Sequence, residues 1–356
     1  MSDSAAETPT GAPPTVSVLM PVYNGERYLR AAVDSILAQS FADFEFLIVD
    51  DGSTDGTRAI LDGIGDPRLK VIANARNLGV TETLNAGLEA VRGRYVARID
   101  ADDVARPERL AEQVAFMEAN PDVVLLGSGY VSVDDDGNEV ERVARPMADA
   151  EFRWTALLHS PVIHPSVMFR ASLTGERGLR YDGHADAEDY DMWLRMLEVG
   201  AGARLGRPLV TWRRHAGAIG VVRRRRQMAT TIAIAQANVE RRFPALRAQR
   251  DKIARLVEIH GFGVEAPIGW RDAAACLGAV NHLLRSFVAR PPRPLSVDDR
   301  IAVTRNAALL LFGAVLRKGR LHRRPLLAAC FLVRAYRYLP SMLALAARRL
   351  TVAAMT

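Results

Sequence analysis

Three carboxylates stand within four positions at Asp100, Asp102 and Asp103. Carboxylates this close repel one another, and one is driven towards its protonated form unless a cation sits among them. Oxygen donors of this kind suit Mg²⁺ or Mn²⁺, which typically bridge one or two carboxylates to a substrate's phosphates. The same residues also make an ordinary acidic turn before a helix, so the pattern gains meaning only from its surroundings. Other polar groups gather at Tyr23 and Asn24, at Asp50 and Asp51, and at Arg76 and Asn77. Tyr23 can flank a flat ring, and Asp51 can accept hydrogen bonds from a base N–H or a ribose hydroxyl. Arg76 can fork onto a phosphate. Far downstream, Glu188, Asp189 and His215 add two carboxylates and an imidazole.

The elements that must position these groups follow from periodicity. Residues 16–22, 44–49, 69–72 and 95–99 are short apolar, β-branched runs that read as buried strands. Between them, residues 26–39, a stretch from Thr57, and residues 81–91 read as helices with one apolar face. This alternation predicts a mainly parallel, doubly wound α/β sheet with helices on both faces. Ligands bind such sheets beyond the carboxyl ends of the strands. Each of the four N-terminal polar clusters follows a strand, so base, ribose, diphosphate and metal find partners along one edge. Further on, residues 107–120 read as a helix, 123–128 and 130–133 as strands, and 134–138 as a hairpin turn. The second acidic triplet, Asp134 to Asp136, belongs to that turn and is expected to be solvated. Residues 151–158 read as a helix, 167–169 as a strand preceded by His164, and a further helix opens at Glu188.

With 49% hydrophobic and 25% charged residues in 356, the composition is globular. Cys276 and Cys330 are too far apart for a metal-binding pair and propose no disulfide framework, so a reducing compartment fits. The net charge of +6 conceals an asymmetry: residues 221–356 hold 25 Lys and Arg against 7 Asp and Glu, and residues 1–220 hold 22 against 34. Three regions are expected: a disordered lead-in over 1–15, an acidic α/β domain over 16–220, and a basic, mainly helical region over 221–356. Helices are expected over 270–288, 297–316 and 325–350. The apolar runs 307–316 and 326–333 fall short of the about 20 residues needed to span a membrane. Such helices can lie on an anionic membrane surface or pack as a helical domain. The polar start lacks the basic and apolar blocks of a secretory signal. A cytoplasmic location is expected, with peripheral contact on the inner face of the cell membrane.

The segments Val-Ser-Val-Leu-Met-Pro-Val-Tyr-Asn-Gly at 16–25 and Leu-Ile-Val-Asp-Asp-Gly-Ser-Thr-Asp-Gly-Thr at 47–57 resemble a family 2 glycosyltransferase. So do Arg-Asn-Leu-Gly at 76–79, Ile-Asp-Ala-Asp-Asp at 99–103 and Ala-Glu-Asp-Tyr-Asp-Met-Trp-Leu-Arg at 187–195. The resemblance covers roughly residues 15–217. It implies a GT-A fold, a nucleotide-diphosphate sugar donor (often UDP-linked), a divalent metal, and inversion at the anomeric carbon. By position, Pro21, Tyr23, Glu26 and Asp51 then resemble base and ribose contacts. Asp102 and Asp103 resemble the metal pair, Asp100 a supporting or ribose-side group, and His215 a further metal or diphosphate contact. Asp189 resembles the general base, with Glu188 beside it, and Arg213 a group that steadies leaving-group charge. The acceptor implied is a carbohydrate or a lipid-linked glycan.

Two other classes compete. A nucleotidyltransferase that makes nucleotide sugars needs a Gly-rich, basic loop after the first strand, where this chain has Pro-Val-Tyr-Asn-Gly-Glu. A nucleic-acid binder needs aromatic residues interleaved with the basic ones, and Tyr336 and Tyr338 are the only such pair in the tail. No nucleic-acid partner is expected.

Overall fold

The computed structural model describes residues 12–183, 186–215, 217, 223–258 and 270–318. Along the chain come β1 (Val16–Val22), α1 (Leu29–Leu37), β2 (Phe44–Asp50), α2 (Thr57–Asp62), β3 (Leu69–Ala73), α3 (Val80–Glu89) and β4 (Tyr95–Arg98). Next are β5 (Val104–Ala105), α4 (Arg109–Ala119), β6 (Val123–Val133), β7 (Glu139–Val143), α5 (Asp149–Thr155), β8 (Met168–Arg170) and α6 (Ser172–Gly175). The chain continues with α7 (Glu188–Val199), β9 (Ala201–Arg213), α8 (Arg224–Arg242), α9 (Arg250–Val257), α10 (Trp270–Ala289) and α11 (Val297–Lys318).

These elements form two compact units. The first takes the chain up to Ala144, then 164–181 and 207–214. The second takes 145–163, 182–206 and everything from His215. The division does not follow the charge border near Gly220, because two earlier segments group with the C-terminal region.

The first unit is built on a mixed sheet of order β3-β2-β1-β4-β8-β6-β9-β5, with β7 on the outside of β6. β3, β2, β1 and β4 are mutually parallel, and Val16 sits beside both Phe44 and Tyr95. β2 is buried throughout, including Glu45 and Asp50, as a strand covered on both faces is. The β4–β8, β8–β6, β6–β7 and β9–β5 pairs are antiparallel. The GT-A fold expected from the sequence is therefore present, with a larger antiparallel share than a doubly wound plan gives.

Three local expectations are corrected. Residues 123–133 form one strand instead of two, because Gly129 lets neighbouring backbone close in. A Cβ there would lie 2.4 Å from the Val143 carbonyl oxygen. Helix α1 begins at Leu29, not at Glu26, since Glu26 is drawn into the loop after β2. Strand β9 was not foreseen: its Gly, Pro and Arg content argues against a strand. The turn at 134–138 is present, with the Asp134 carboxylate accepting from the N–H groups of Asp136 and Asn138.

In the second unit every residue of α5 after Asp149 is buried. Trp154 meets Phe287 edge-on at 5.7 Å, and Asn306 donates to Glu151 at 3.0 Å, so α10 and α11 close over α5. Among the described residues, no helix is long and apolar enough to cross a membrane. The helix expected over 325–350, and the start of the lead-in, lie outside the described residues.

Candidate active site

The loops after β1 and β2 interlock. Asn24, at φ 51°, donates its N–H to Ser53 Oγ at 2.9 Å and accepts from the Thr54 N–H at 2.8 Å. Gly56 N–H donates to Glu26 Oε2 at 2.8 Å. Glu26 thus ties the two loops together. Between them Pro21 is half-buried and Tyr23 is 49% exposed, so the Tyr23 ring is open to a flat partner.

Asp51 is only 3% exposed. Its Oδ1 accepts from Asn74 Nδ2 at 2.8 Å and from the Leu78 N–H at 2.9 Å, and its Oδ2 from the Gly79 N–H at 2.9 Å. In this geometry Asp51 organises the loop after β3. Gly52, at φ +70°, completes the contact: a Cβ there would lie 2.6 Å from the Arg76 carbonyl carbon. Only glycine combines that φ with so close an approach. The Arg76 side chain is exposed at the tip of this loop.

The strand β4 ends at Arg98, and the carboxylates follow. One oxygen from each of Asp100, Asp102 and Asp103 can be chosen so that all lie within 4.8 Å of one another. Asp100 is ion-paired with Arg98, which is itself 3% exposed. Asp103 is fully buried, and its Oδ1 accepts from the Arg213 N–H at 2.8 Å. Its Oδ2 is buried without a hydrogen-bond partner among the described residues. Burial first, and then the charges of Asp100 and Asp102, push the Asp103 carboxyl well above the ordinary carboxylate range. Burial and Asp102 raise Asp100 as well, against the pull of Arg98. An orphaned buried oxygen beside two more carboxylates is a donor set that fits a hard divalent cation. Asp102 and Asp103 could hold such an ion, while Asp100 is ion-paired with Arg98.

Behind the cluster lies a second buried guanidinium. Arg109 is fully buried, donates to the Arg98 and Val167 carbonyls at 2.6 and 3.2 Å, and is lowered to about 9 by burial and by Arg98. His164 Nε2 pairs with the Tyr181 hydroxyl at 2.9 Å. Burial and then Arg98 hold its pKa well below the ordinary value, so it stands neutral. Arg213 donates through Nε to the Asp102 carbonyl at 3.2 Å and stacks on the Tyr28 ring at 4.6 Å.

Sequence reasoning missed Arg98 and Arg109, the cations beneath the carboxylates. The signal was an arginine inside an apolar strand, two positions before an aspartate, hence on the same side of an extended chain.

The remaining expected residues belong to the second unit. Glu188 and Asp189 open α7, with Glu188 8% exposed and Asp189 Oδ1 accepting from the Tyr190 N–H at 2.7 Å. Just before them Asp186, at φ 74°, is ion-paired with Arg223 at 3.1 Å and Arg226 at 3.0 Å. The basic run at 223–226 therefore anchors the approach to α7. His215 is half-buried and follows Arg213 by two residues.

Residues 17–178 match the family model described as glycosyl transferase family 2. An uncharacterized glycosyltransferase of Haemophilus influenzae is 30% identical over 239 residues, covering 64% of this chain and 73% of that protein. The amylovoran biosynthesis glycosyltransferase AmsE of Erwinia amylovora is 33% identical over 189 residues, covering 52% of this chain and 70% of its own. Among solved structures, S. aureus TarS 1-349 in complex with UDP-GlcNAc superposes with TM-score 0.55 at 18% identity, covering 84% of this chain and 86% of that one. The mannosyltransferase PcManGT from Pyrobaculum calidifontis, in complex with GDP-Man and Mn²⁺, gives 0.51 at 19% identity, covering 95% and 90%. With the GT-A sheet, the acidic cluster at its β4 end and relatives of this similarity, the chain belongs to glycosyl transferase family 2 and is a glycosyltransferase enzyme.

Proposed function

We propose that the protein moves a sugar from a nucleotide-diphosphate sugar to an acceptor hydroxyl, with inversion, in the assembly of an envelope polysaccharide or glycolipid. The observation that carries this reading is the carboxylate cluster at the end of β4, with the buried, unpartnered Oδ2 of Asp103. Asp102 and Asp103 would hold Mg²⁺ or Mn²⁺. When bound, the cation would offset the charge that gathers on the diphosphate as the glycosidic bond breaks. The rest of the work falls to the chain. Arg98 and Arg109 lend positive charge beneath the carboxylates, so the acidic cluster tolerates burial. Tyr23 and Pro21 flank the base, Arg76 binds phosphate, and Asp51 and Glu26 hold the loops that present them. At the start of α7, Asp189 takes the proton from the acceptor hydroxyl, with Glu188 at its side; a base placed within hydrogen-bond reach is what single displacement requires.

TarS is named with UDP-GlcNAc and PcManGT with GDP-Man and Mn²⁺, so the donor class is common to both while the base differs. A UDP-linked donor is the first to try, since the motifs resemble enzymes that often use one. AmsE is named for amylovoran biosynthesis, which favours a polysaccharide or lipid-linked acceptor. The basic C-terminal region would bring the enzyme to the inner face of the membrane. The test is a donor screen with Mn²⁺ or Mg²⁺ that measures nucleotide diphosphate release beside an Asp103→Asn control. Release by the wild type alone is expected; equal release by the control removes the metal assignment.

A further inference from the structure

The second unit contains a cavity of about 330 Å³ with an unusual charge balance. Arg153, Arg241, Arg242 and Arg293 line it against one carboxylate, Glu198. The walls come from α5, the last turns of α7 and α8, and the proline-rich link between α10 and α11. All of them belong to the same unit.

The four arginines are not equivalent. Arg153 is 6% exposed, and its Nε donates to both Asp149 carboxylate oxygens at 2.8 Å. Its terminal nitrogens donate to the Leu197 and Gly200 carbonyls. Arg153 is therefore a fixed charge with its hydrogen bonds already committed. Arg241 is ion-paired with Glu198. Arg242 is half-buried and donates through Nε to Asn238 Oδ1 at 3.1 Å. Its two terminal nitrogens make no hydrogen bond to a described residue. Burial, then the charges of Arg153 and Arg241, depress the Arg242 guanidinium, and Glu198 opposes them only in part.

Arg153 is buried, Arg242 and Arg293 are half-buried and Arg241 is exposed, and like charges gathered where water is partly excluded are costly unless an anion joins them. Planar guanidinium groups match phosphate oxygens in pairs. The volume lies within the range of small-ligand sites. We propose that this cavity is a second ligand site that takes a phosphate-bearing group, gripped by Arg242 in the field of Arg153, Arg241 and Arg293. The proposal does not depend on the transfer reaction and stands if that reading fails.

The test is calorimetric titration of the full chain with pyrophosphate at low salt, in EDTA, so that no metal recruits the anion to the carboxylates of the first unit. A parallel arm floats the protein with phosphatidylglycerol vesicles. Arg242→Gln is expected to weaken binding about tenfold or more, since it removes charged hydrogen bonds. Glu198→Gln is expected to tighten it about threefold or more, since it releases Arg241 from its counter-ion. A gain of binding cannot come from misfolding. Weakening in the pyrophosphate arm alone assigns the cavity to a soluble phosphate compound, and weakening in the vesicle arm assigns it to a headgroup. Binding that neither variant changes in either arm overturns the proposal, as does absence of binding by the wild type in both.

Discussion

The Arg213 N–H donates to Asp103 Oδ1 at 2.8 Å, joining residues 110 positions apart. The end of β9 thereby fixes a buried carboxylate from one side, and its other oxygen has no hydrogen-bond partner among the described residues. Asp103→Asn removes one of three crowded charges while keeping the acceptor for Arg213. Its melting temperature in EDTA is expected to equal or exceed that of the wild type. Its rise on adding Mn²⁺ is expected to vanish, because a ligand that binds only the folded state stabilises by mass action. Differential scanning fluorimetry with and without Mn²⁺ reads both; an undiminished Mn²⁺ shift would count against Asp103 as a ligand.

Arg98 is the buried counter-ion of Asp100. Arg98→Met leaves that carboxylate unpaired next to Asp102 and Asp103. Removing one partner of a buried pair costs about 3–5 kcal/mol. Urea unfolding is expected to show a loss of this order, and Asp100→Asn in the same chain is expected to restore part of it. A variant as stable as the wild type would show that Arg98 is not needed there.

Gly52 combines φ +70° with backbone contact to Arg76. Gly52→Ala is expected to cost at least about 1–2 kcal/mol from the left-handed conformation alone. The added methyl must also displace the loop that carries Arg76. Nucleotide affinity is therefore expected to fall in the variant even where it is fully folded, as isothermal titration with UDP would measure. Unchanged affinity would separate this loop from the donor.

His164 is held neutral by burial and by Arg98, with its pKa well below the ordinary 6.5. In the window between that depressed value and 6.5 the unfolded chain binds more protons than the folded one. Stability therefore rises with pH up to about 6.5 and levels off above it. His159 is shifted in the same direction by burial and contributes with the same sign. His164→Gln is expected to flatten the profile below about pH 6.5, measured by urea unfolding across the window. A profile identical to the wild type would mean that His164 takes up its proton in the folded state.

Asp189 opens α7 within a first turn that also holds Glu188 and Asp191. Asp189→Asn keeps the side-chain oxygen that accepts from Tyr190 and loses the basic group. Sugar transfer is expected to fall by about 100-fold or more, the usual scale of a lost general base. Donor affinity is expected to stay unchanged. Turnover at the wild-type rate would place the base elsewhere.

Much of the first unit was legible from sequence because β1 to β4 are mainly apolar runs, each stopped by a polar turn. That alone put Tyr23, Asp51, Arg76 and Asp100–Asp103 at the ends of parallel strands. β9 was hidden because its pairing is decided by partners far along the chain, against its own composition. Asp51 looked like a ligand group, yet its carboxylate is taken up by Asn74, Leu78 and Gly79. A carboxylate's partners across a turn are not encoded in local spacing. The two units were not legible from charge, since the chain enters the second at 145 and again at 182 before the basic region begins.

Helix α7 carries Asp189 at one end and the cavity residue Glu198 at the other. Its 12 residues make a rod roughly 18 Å long at about 1.5 Å per residue. Trp193 lies fully buried along that rod, and Trp154, equally buried, follows Arg153 on α5. If an anion enters among the arginines, a change in the emission of these indoles is the expected optical signal of occupancy, one that needs neither a label nor a sugar donor.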